Sequence, residues 1–450
     1  MIRAKAGLAR AIGRLSRASG RGGGTTLPGR VLLKLDPDAL SKMGTGLEHG
    51  STLISATNGK TTTASMLASI LVAAGRKPVH NRSGSNMTWG VATALLEQKG
   101  DEGLFEVDEA WLPETAARLE PQTILLGNLF RDQLDRYGET ESLADAWVKL
   151  ASDRAGETAF VLNADDPLVA DIGRYSGERT SYFGIDDEEQ ALAELQHAHD
   201  AKQCRVCGHA LDYQRAFVGH LGHYSCPNCG MKRPTPEVSA QEISLKGMSG
   251  LEATIVTPEG RSRLTLPLPG LYNLYNALGA IATARQLGIP AGQAVSALAG
   301  MRAVFGRVER IQVEQTELSI LLIKNPAGAN EVIRTLALEP GALDLWIALN
   351  DGIADGHDIS WIWDADFEML VGRVRSVVCT GTRGAEMALR LKYAGIDPSL
   401  IKVVDGLKPA LDTALTHHPA KLFAMPTYTA LLDLRQQLAD QGDAERYWQG

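Results

Sequence analysis

The chain has 450 residues, 44% hydrophobic and 22% charged, an ordinary balance for a globular protein. At ~150 residues per domain it has room for two or three cores. A formal net charge of −8 speaks against a general nucleic-acid binder, and no apolar run approaches the roughly 20 residues of a membrane span.

Residues 1–30 read as a basic flexible tail, with seven Lys/Arg and no acid. Arg10, Arg14, Arg17 and Arg21 share one helical face, and Leu8, Ile12 and Leu15 another, before a Gly-rich break from Gly20 to Gly24. Such a segment can lie on an anionic membrane surface or remain a solvated arm. No apolar segment of secretory type follows it, so the chain is read as cytoplasmic, with peripheral contact at the inner membrane face an open option.

From about residue 31 to 310, apolar runs alternate with helical patterns, as in Thr123 to Leu126, Ala159 to Leu162 and the helix from Leu274 to Leu287. The pattern predicts a mostly parallel α/β sheet with helices on both faces. Its first strand runs into Ser55-Ala56-Thr57-Asn58-Gly59-Lys60-Thr61-Thr62-Thr63, and a helix follows with Met66, Leu67, Ile70, Leu71 and Ala74 at helical spacing, stopped by Gly75. Strand, tight loop and helix N-terminus make a phosphate cradle: backbone N–H groups and the helix dipole face the anion. Lys60 can reach the outer phosphates and the Thr61 hydroxyl can ligate Mg²⁺. The motif is imperfect, because Ile54 stands where the usual pattern has its first Gly.

Other strand ends are polar too. Glu106, Asp108 and Glu109 follow one strand, where an acid could hold Mg²⁺ opposite the loop. Asn128 to Arg136 follows a second, and Asn163-Ala164-Asp165-Asp166-Pro167 a third. Polar groups at several strand ends of one open sheet mark a ligand crevice.

Between about 198 and 235 the pattern is interrupted by Cys204-x-x-Cys207 and Cys226-x-x-Cys229, the spacing of a zinc ribbon. Gly208, Pro227 and Gly230 supply turns. Two disulfides or a redox pair are weaker readings, since nothing suggests export and no thioredoxin-like unit surrounds the pairs. Four thiolates fill a tetrahedral shell, so the Zn²⁺ is expected to be structural. From 311 to 450 the alternation restarts as a smaller α/β domain, with strands at Leu318 to Ile323, Leu343 to Leu349, Val374 to Cys379, Lys402 to Val404 and Lys421 to Ala424. Cys379 is read as a buried strand cysteine. Trp361 and Trp363 alternate as on a strand, in core or at an interface.

Together these residues resemble the Mur ligase superfamily. The marks are the T-N-G-K-T-T loop, Glu106-Val107, N-x-x-x-D-x-L-D from Asn128, N-x-x-N-A from Asn273 to Ala277, and G-R-x-E from Gly306 to Glu309. Gln133 replaces the usual His, and Ala56 the usual Gly. The resemblance implies a Mur-ligase-type central ATPase domain and a Rossmann-like C-terminal domain. It also implies ATP-dependent activation of a carboxylate as an acyl phosphate, then attack by an amine. It carries catalysis to Lys60, Glu106 and Glu109, nucleotide binding to Thr57, Asn58, Gly59, Lys60, Thr61, Thr62, Asn276, Arg307 and Asn325, and Mg²⁺ to Thr61 and Glu106.

The phosphate loop begins near residue 51, leaving no room before it for a UDP-binding domain. With the Cys₄ insert and the Asp-rich segment Asn350 to Asp364, this narrows the resemblance to the ligase-like subunits of lipid II isoglutaminyl synthase. That family implies amidation of the D-glutamate α-carboxylate of lipid II, at the membrane surface, with ammonia from a GatD-like glutaminase partner in a heterodimer. No glutaminase elbow surrounds Cys379. One Asp of the loop, Asp358 first and Asp355 second, would complete the partner's catalytic triad; either could instead be a loop-capping acid. The alternatives are another Mur-type ligase, such as a folylpolyglutamate synthase, and a zinc-ribbon ATPase on nucleic acid. The acidic charge and the lack of aromatic-basic clusters around the ribbon oppose the last.

Overall fold

Strand alternation gives two open sheets, seen in a computed structural model that describes residues 2–18, 26–81, 85–132, 140–196, 199–301 and 307–442. The first sheet is built from β1 (Ser51–Ser55), β2 (Pro78–His80), β3 (Glu102–Glu106), β4 (Thr123–Leu126), β5 (Ala159–Asn163), β6 (Thr180–Ile185), β9 (Val238–Leu245), β10 (Leu251–Thr257) and β11 (Gly260–Leu266), with β7 (Asp212–Val218) and β8 (Leu221–Ser225) forming a separate hairpin. Its order is β11-β10-β9-β6-β5-β4-β1-β3-β2. Every pairing from β2 to β9 is parallel, and β10 and β11 add an antiparallel edge.

The inner strands are buried on both faces, which is why their middles are apolar with no polar alternation. Period-two alternation divides them between two cores. Leu53, Ile124, Leu126 and Phe160 pack with Trp147 on one face. Ile54, Leu125, Val161 and Phe183 pack on the other against the helices Lys60–Ala73 and Leu271–Gln286.

The second sheet contains β12 (Arg307–Val313), β13 (Thr316–Leu321), β14 (Leu343–Ala348), β15 (Val374–Thr380), β16 (Ile401–Val403) and β17 (Lys421–Pro426), in the order β12-β13-β17-β14-β15-β16. All its pairings but β12–β13 are parallel. The expected junction at 310/311 falls inside β12, because β12 continues to Val313 as the antiparallel partner of β13. Cys379 is a fully buried residue of β15, and burial pushes its thiol up to about 12.

Two further expectations change. Residues 2–18 are not a loose arm. They form helix α1 (Ile2–Ala18), which packs through Ala6 and Ala9 near α2 (Leu27–Leu35) and the helix Thr88–Glu97. Small residues allow that approach: a Cβ added at Gly13 would stand 2.6 Å from Pro28 Cγ. The Gly-rich stretch after it, Gly20 to Gly24, lies outside the described residues. Trp361 and Trp363 lie on a 3₁₀ helix, Ser360–Asp364, not a strand. Trp361 packs against the second domain's core, and Trp363 is 49% exposed beneath the Arg390 guanidinium.

Candidate active site and metal centre

In the sheet β1 lies between β3 and β4, so the chain leaves β1 at the point where the order of connections reverses, the usual place for a ligand crevice. The phosphate loop leaves β1 there and enters the 14-residue helix Lys60–Ala73. Gly59 has φ +93°, and a Cβ on it would sit 2.0 Å from Asn276 Oδ1, so both backbone and packing require glycine. Asn276 also accepts from the Thr63 hydroxyl (3.2 Å) and donates to Asn273 (3.2 Å), so the N-x-x-N-A helix buttresses the loop.

The segment that follows β4 staples the loop from the other side. Asn128 Oδ1 accepts from Asn58 N–H (2.9 Å), and Asn128 Nδ2 donates to Asn58 O (3.0 Å). The Thr57 hydroxyl accepts from Phe130 N–H at 3.0 Å. Ala56, unusual at its place, is tolerated because its neighbour is Gly127, where an added Cβ would stand 2.9 Å from Ala56 Cβ.

Lys60 is buried and pairs with Glu109 at 2.7 Å while also donating to Ala56 O. Burial works against its ammonium, but Glu109, Asp108 and Glu106 outweigh it and hold the pKa above the usual lysine value. Burial, then the adjacent Glu109, raise Asp108. The lysine therefore waits as a cation among carboxylates, a charge that polyphosphate with Mg²⁺ can engage. Glu106 is a buried acid at the end of β3, in register with Ile54, and Thr61 is half-buried on the first helical turn. Both residue types suit a hard cation. Thr62 is buried beside it.

The second domain closes over this loop. Asn325 caps the helix Pro326–Ala337 by accepting from Gly328 N–H (2.9 Å). It also exchanges amide hydrogen bonds with Asn58, at 3.1 and 3.2 Å. Lys324 donates to Thr57 O (3.2 Å) and pairs with Asp132. Between the domains lies an open cleft, lined by Asn58, Gly59, Tyr275 and Asn276 on one side and by Lys324, Ala327 and Val332 on the other. Arg307 opens β12, but its side chain lies outside the described residues, as do Gln133 to Arg136.

The four cysteines converge. Their Sγ atoms all lie within 4.8 Å of one another, with Cys204 to Cys229 at 3.6 Å and Cys207 to Cys226 at 3.5 Å. A disulfide needs about 2.05 Å, whereas four sulfurs about 2.3 Å from one ion are about 3.8 Å apart. Each knuckle closes alike: Gly208 N–H donates to Cys204 O (2.8 Å) and Gly230 N–H to Cys226 O (3.0 Å), both glycines having φ above +70°. The donor set fits Zn²⁺.

The ribbon occupies the crossover between the parallel neighbours β6 and β9. Here the Asp165–Asp166 expectation is corrected. Both are fully buried and tie the ribbon and neighbouring helices to the strand end instead of facing a ligand directly. Asp165 binds Arg233 (2.5 Å) and the Tyr275 hydroxyl (2.6 Å). Asp166 accepts from Leu129 N–H (2.8 Å) and stands 3.3 Å from His220, at the hairpin turn. Val218 and Leu221, flanking that turn, line the interdomain cleft, and Arg334 of the second domain donates to Phe217 O at 2.8 Å. Composition and spacing gave no sign that the hairpin reaches the cleft.

The Asp-rich segment separates its two acids. Asp355 is buried, and its carboxylate accepts from Thr429 N–H (2.8 Å) and the Thr429 hydroxyl (2.5 Å), capping the helix Tyr428–Gln441. Asp358 is exposed and accepts from Ser360 N–H at 2.8 Å, and contacts with Ser360 hold its carboxyl below the usual range. Arg131 ties this segment to the central domain through Asp364 (3.3 Å) and Asp200.

Comparison with known proteins places this geometry. Residues 54–284 match the Mur ligase middle domain, and residues 322–431 the MurT ligase C-terminal domain. Lipid II isoglutaminyl synthase (glutamine-hydrolyzing) subunit MurT of Streptococcus pneumoniae is 34% identical over 93% of both chains. The MurT subunit of Staphylococcus aureus is 32% identical over 96% of both. A pseudomurein peptide ligase type C from Methanothermus fervidus has the same fold, with a TM-score of 0.69 at 23% identity over 87% of this chain and 78% of the other. The chain belongs to the MurT family of Mur ligases.

Proposed function

We propose that this chain is the ATP-dependent ligase subunit of a lipid II isoglutaminyl synthase in peptidoglycan synthesis. The γ-phosphoryl group of ATP passes to the D-glutamate α-carboxylate of the stem peptide, giving an acyl phosphate and ADP. Ammonia then attacks the acyl carbon, phosphate leaves, and the amide of D-isoglutamine forms. The observation that carries the reading is the pairing of near-full-length kinship to MurT subunits with a phosphate loop engaged by Asn325 and Lys324.

In this reading Lys60 and the helix N-terminus hold the outer phosphates, and Thr61 and Glu106 hold Mg²⁺, which neutralises charge on the transferred group. Thr57, Asn58, Gly59, Thr62, Asn276, Arg307 and Asn325 shape the nucleotide site. The central domain, with the ribbon at 198–235, forms the ATPase unit, and the domain that opens with β12 is the unit that meets the partner. Nitrogen comes from a GatD-like glutaminase. Cys379 is buried in β15 and is no nucleophile for glutamine. Of the two candidate acids Asp358 is exposed and ionised, free to orient a partner histidine, whereas Asp355 is engaged by Thr429.

The purified complex, given ATP and ammonium chloride, should amidate a lipid-linked muropeptide much faster than its soluble UDP-linked counterpart. Equal rates on the two would contradict the substrate assignment.

A further inference from the structure

Helix α1 is held to the body by one face and leaves the other without a protein partner among the described residues. Ala6 and Ala9 are buried, Arg10 Nε donates to Leu96 O at 2.8 Å, and Lys5 stands 3.4 Å from Asp36. On the opposite side Ala4, Leu8, Ala11 and Leu15 recur at helical spacing and are all exposed, Leu8 to 53% and Leu15 to 71%. Single exposed leucines need no explanation, but a stripe along one docked helix does. Arg14 flanks it and is exposed.

The charge around this face points to its occupant. The first 35 residues contain eight Lys/Arg and no acid, in a chain whose net charge is −8. The first acid, Asp36, is itself buried and paired with Lys42 and Lys5. A cationic helix with an outward apolar stripe matches an anionic bilayer, where leucines enter the acyl boundary and guanidinium groups meet lipid phosphates. A protein partner of equal fit would need an acidic groove with apolar floor. The remainder of this chain carries the acid excess, so a second copy is the competing occupant to be tested.

We infer that the outer face of α1 is a docking surface for anionic phospholipid. The helix is packed on the body before it meets the bilayer, so docking also fixes the orientation of the central domain. This extends the proposed function to where the reaction occurs, and its vesicle-binding readout needs no substrate.

Full-length protein is floated with vesicles of phosphatidylcholine alone or with roughly one-third phosphatidylglycerol. Binding is expected only with the anionic vesicles, falling as salt rises. Leu8→Gln with Leu15→Gln should weaken it roughly tenfold, and Arg14→Gln by a smaller factor, with melting temperature unchanged. Amidation of detergent-solubilised substrate should stay at the parent rate, which separates this inference from the ligase reading. Equal binding to both vesicle types, or parent-level binding by the double leucine variant, would overturn it. So would concentration-dependent dimerisation that the same double variant abolishes, since a second copy would then cover the face.

Discussion

The phosphate loop and the Asp-rich segment 351–364 both carry polar groups at the end of a strand, yet they are built in opposite ways. Around the loop nearly every side chain is engaged inside the chain: Asn128 with Asn58, Thr63 with Asn276, Lys60 with Glu109, Asn58 with Asn325. In the Asp-rich segment Asp355 is turned inward as a helix cap while Asp358 faces solvent, bonded only to its own turn among the contacts described. A preorganised cradle needs its charges fixed before substrate arrives. A residue meant to complete another subunit's site has to remain accessible. On the proposed reading, the contrast separates phosphoryl transfer, assembled within this chain, from nitrogen supply, left to a partner.

The sharpest way to break that contrast is at the loop. Lys60→Ala removes the cation paired with Glu109 and close to Glu106 and Asp108, and should lower ATP-dependent phosphate release by about 10²- to 10³-fold, whichever nitrogen source is used. Melting temperature should change little. A variant with near-normal turnover would remove the loop from the chemistry.

The ribbon supplies the next test. Cys226→Ser, or removal of metal by chelation, should lower the bound zinc and the melting temperature. Because Val218 and Leu221 line the interdomain cleft, nucleotide affinity should fall as well, by about tenfold for loss of an apolar wall. A zinc-depleted protein with parent stability and nucleotide binding would show that the hairpin is passive.

How much of this was legible in sequence follows from where each partner lies. The phosphate loop, the Cys₄ knuckles and the parallel strands announce themselves because their determinants are contiguous or evenly spaced. The central strand Thr123 to Leu126 appears with its expected limits. Contacts across the chain leave no local pattern. Asn58 meets Asn325 across 267 positions, and Arg131 meets Asp364 across 233. Asp165 and Asp166 look like ligand residues by position, but their role depends on Arg233 and His220, brought in by an inserted ribbon. The docking of α1 was hidden for a related reason: Ala6, Ala9 and Gly13 are small, and only the facing surface shows that they pack.

The smallest effect expected is at Asp355. Asp355→Asn keeps the shape but loses the charge at the N-terminus of the helix Tyr428–Gln441, and should cost about 1 kcal/mol of stability. Glutamine-dependent amidation should survive. Its selective loss, with folding intact, would move the partner-facing role from Asp358 to Asp355.

The central claim, a self-contained ligase completed by a partner's nitrogen supply, is tested most directly by Asp358→Asn in the purified complex, assayed with two nitrogen sources. The amide preserves the turn at Ser360 but cannot stabilise an imidazolium. The account predicts that glutamine-driven amidation falls by about 10⁴-fold while amidation driven by ammonium chloride stays at the parent rate. Parent-level activity with glutamine, or equal loss with both sources, would contradict it.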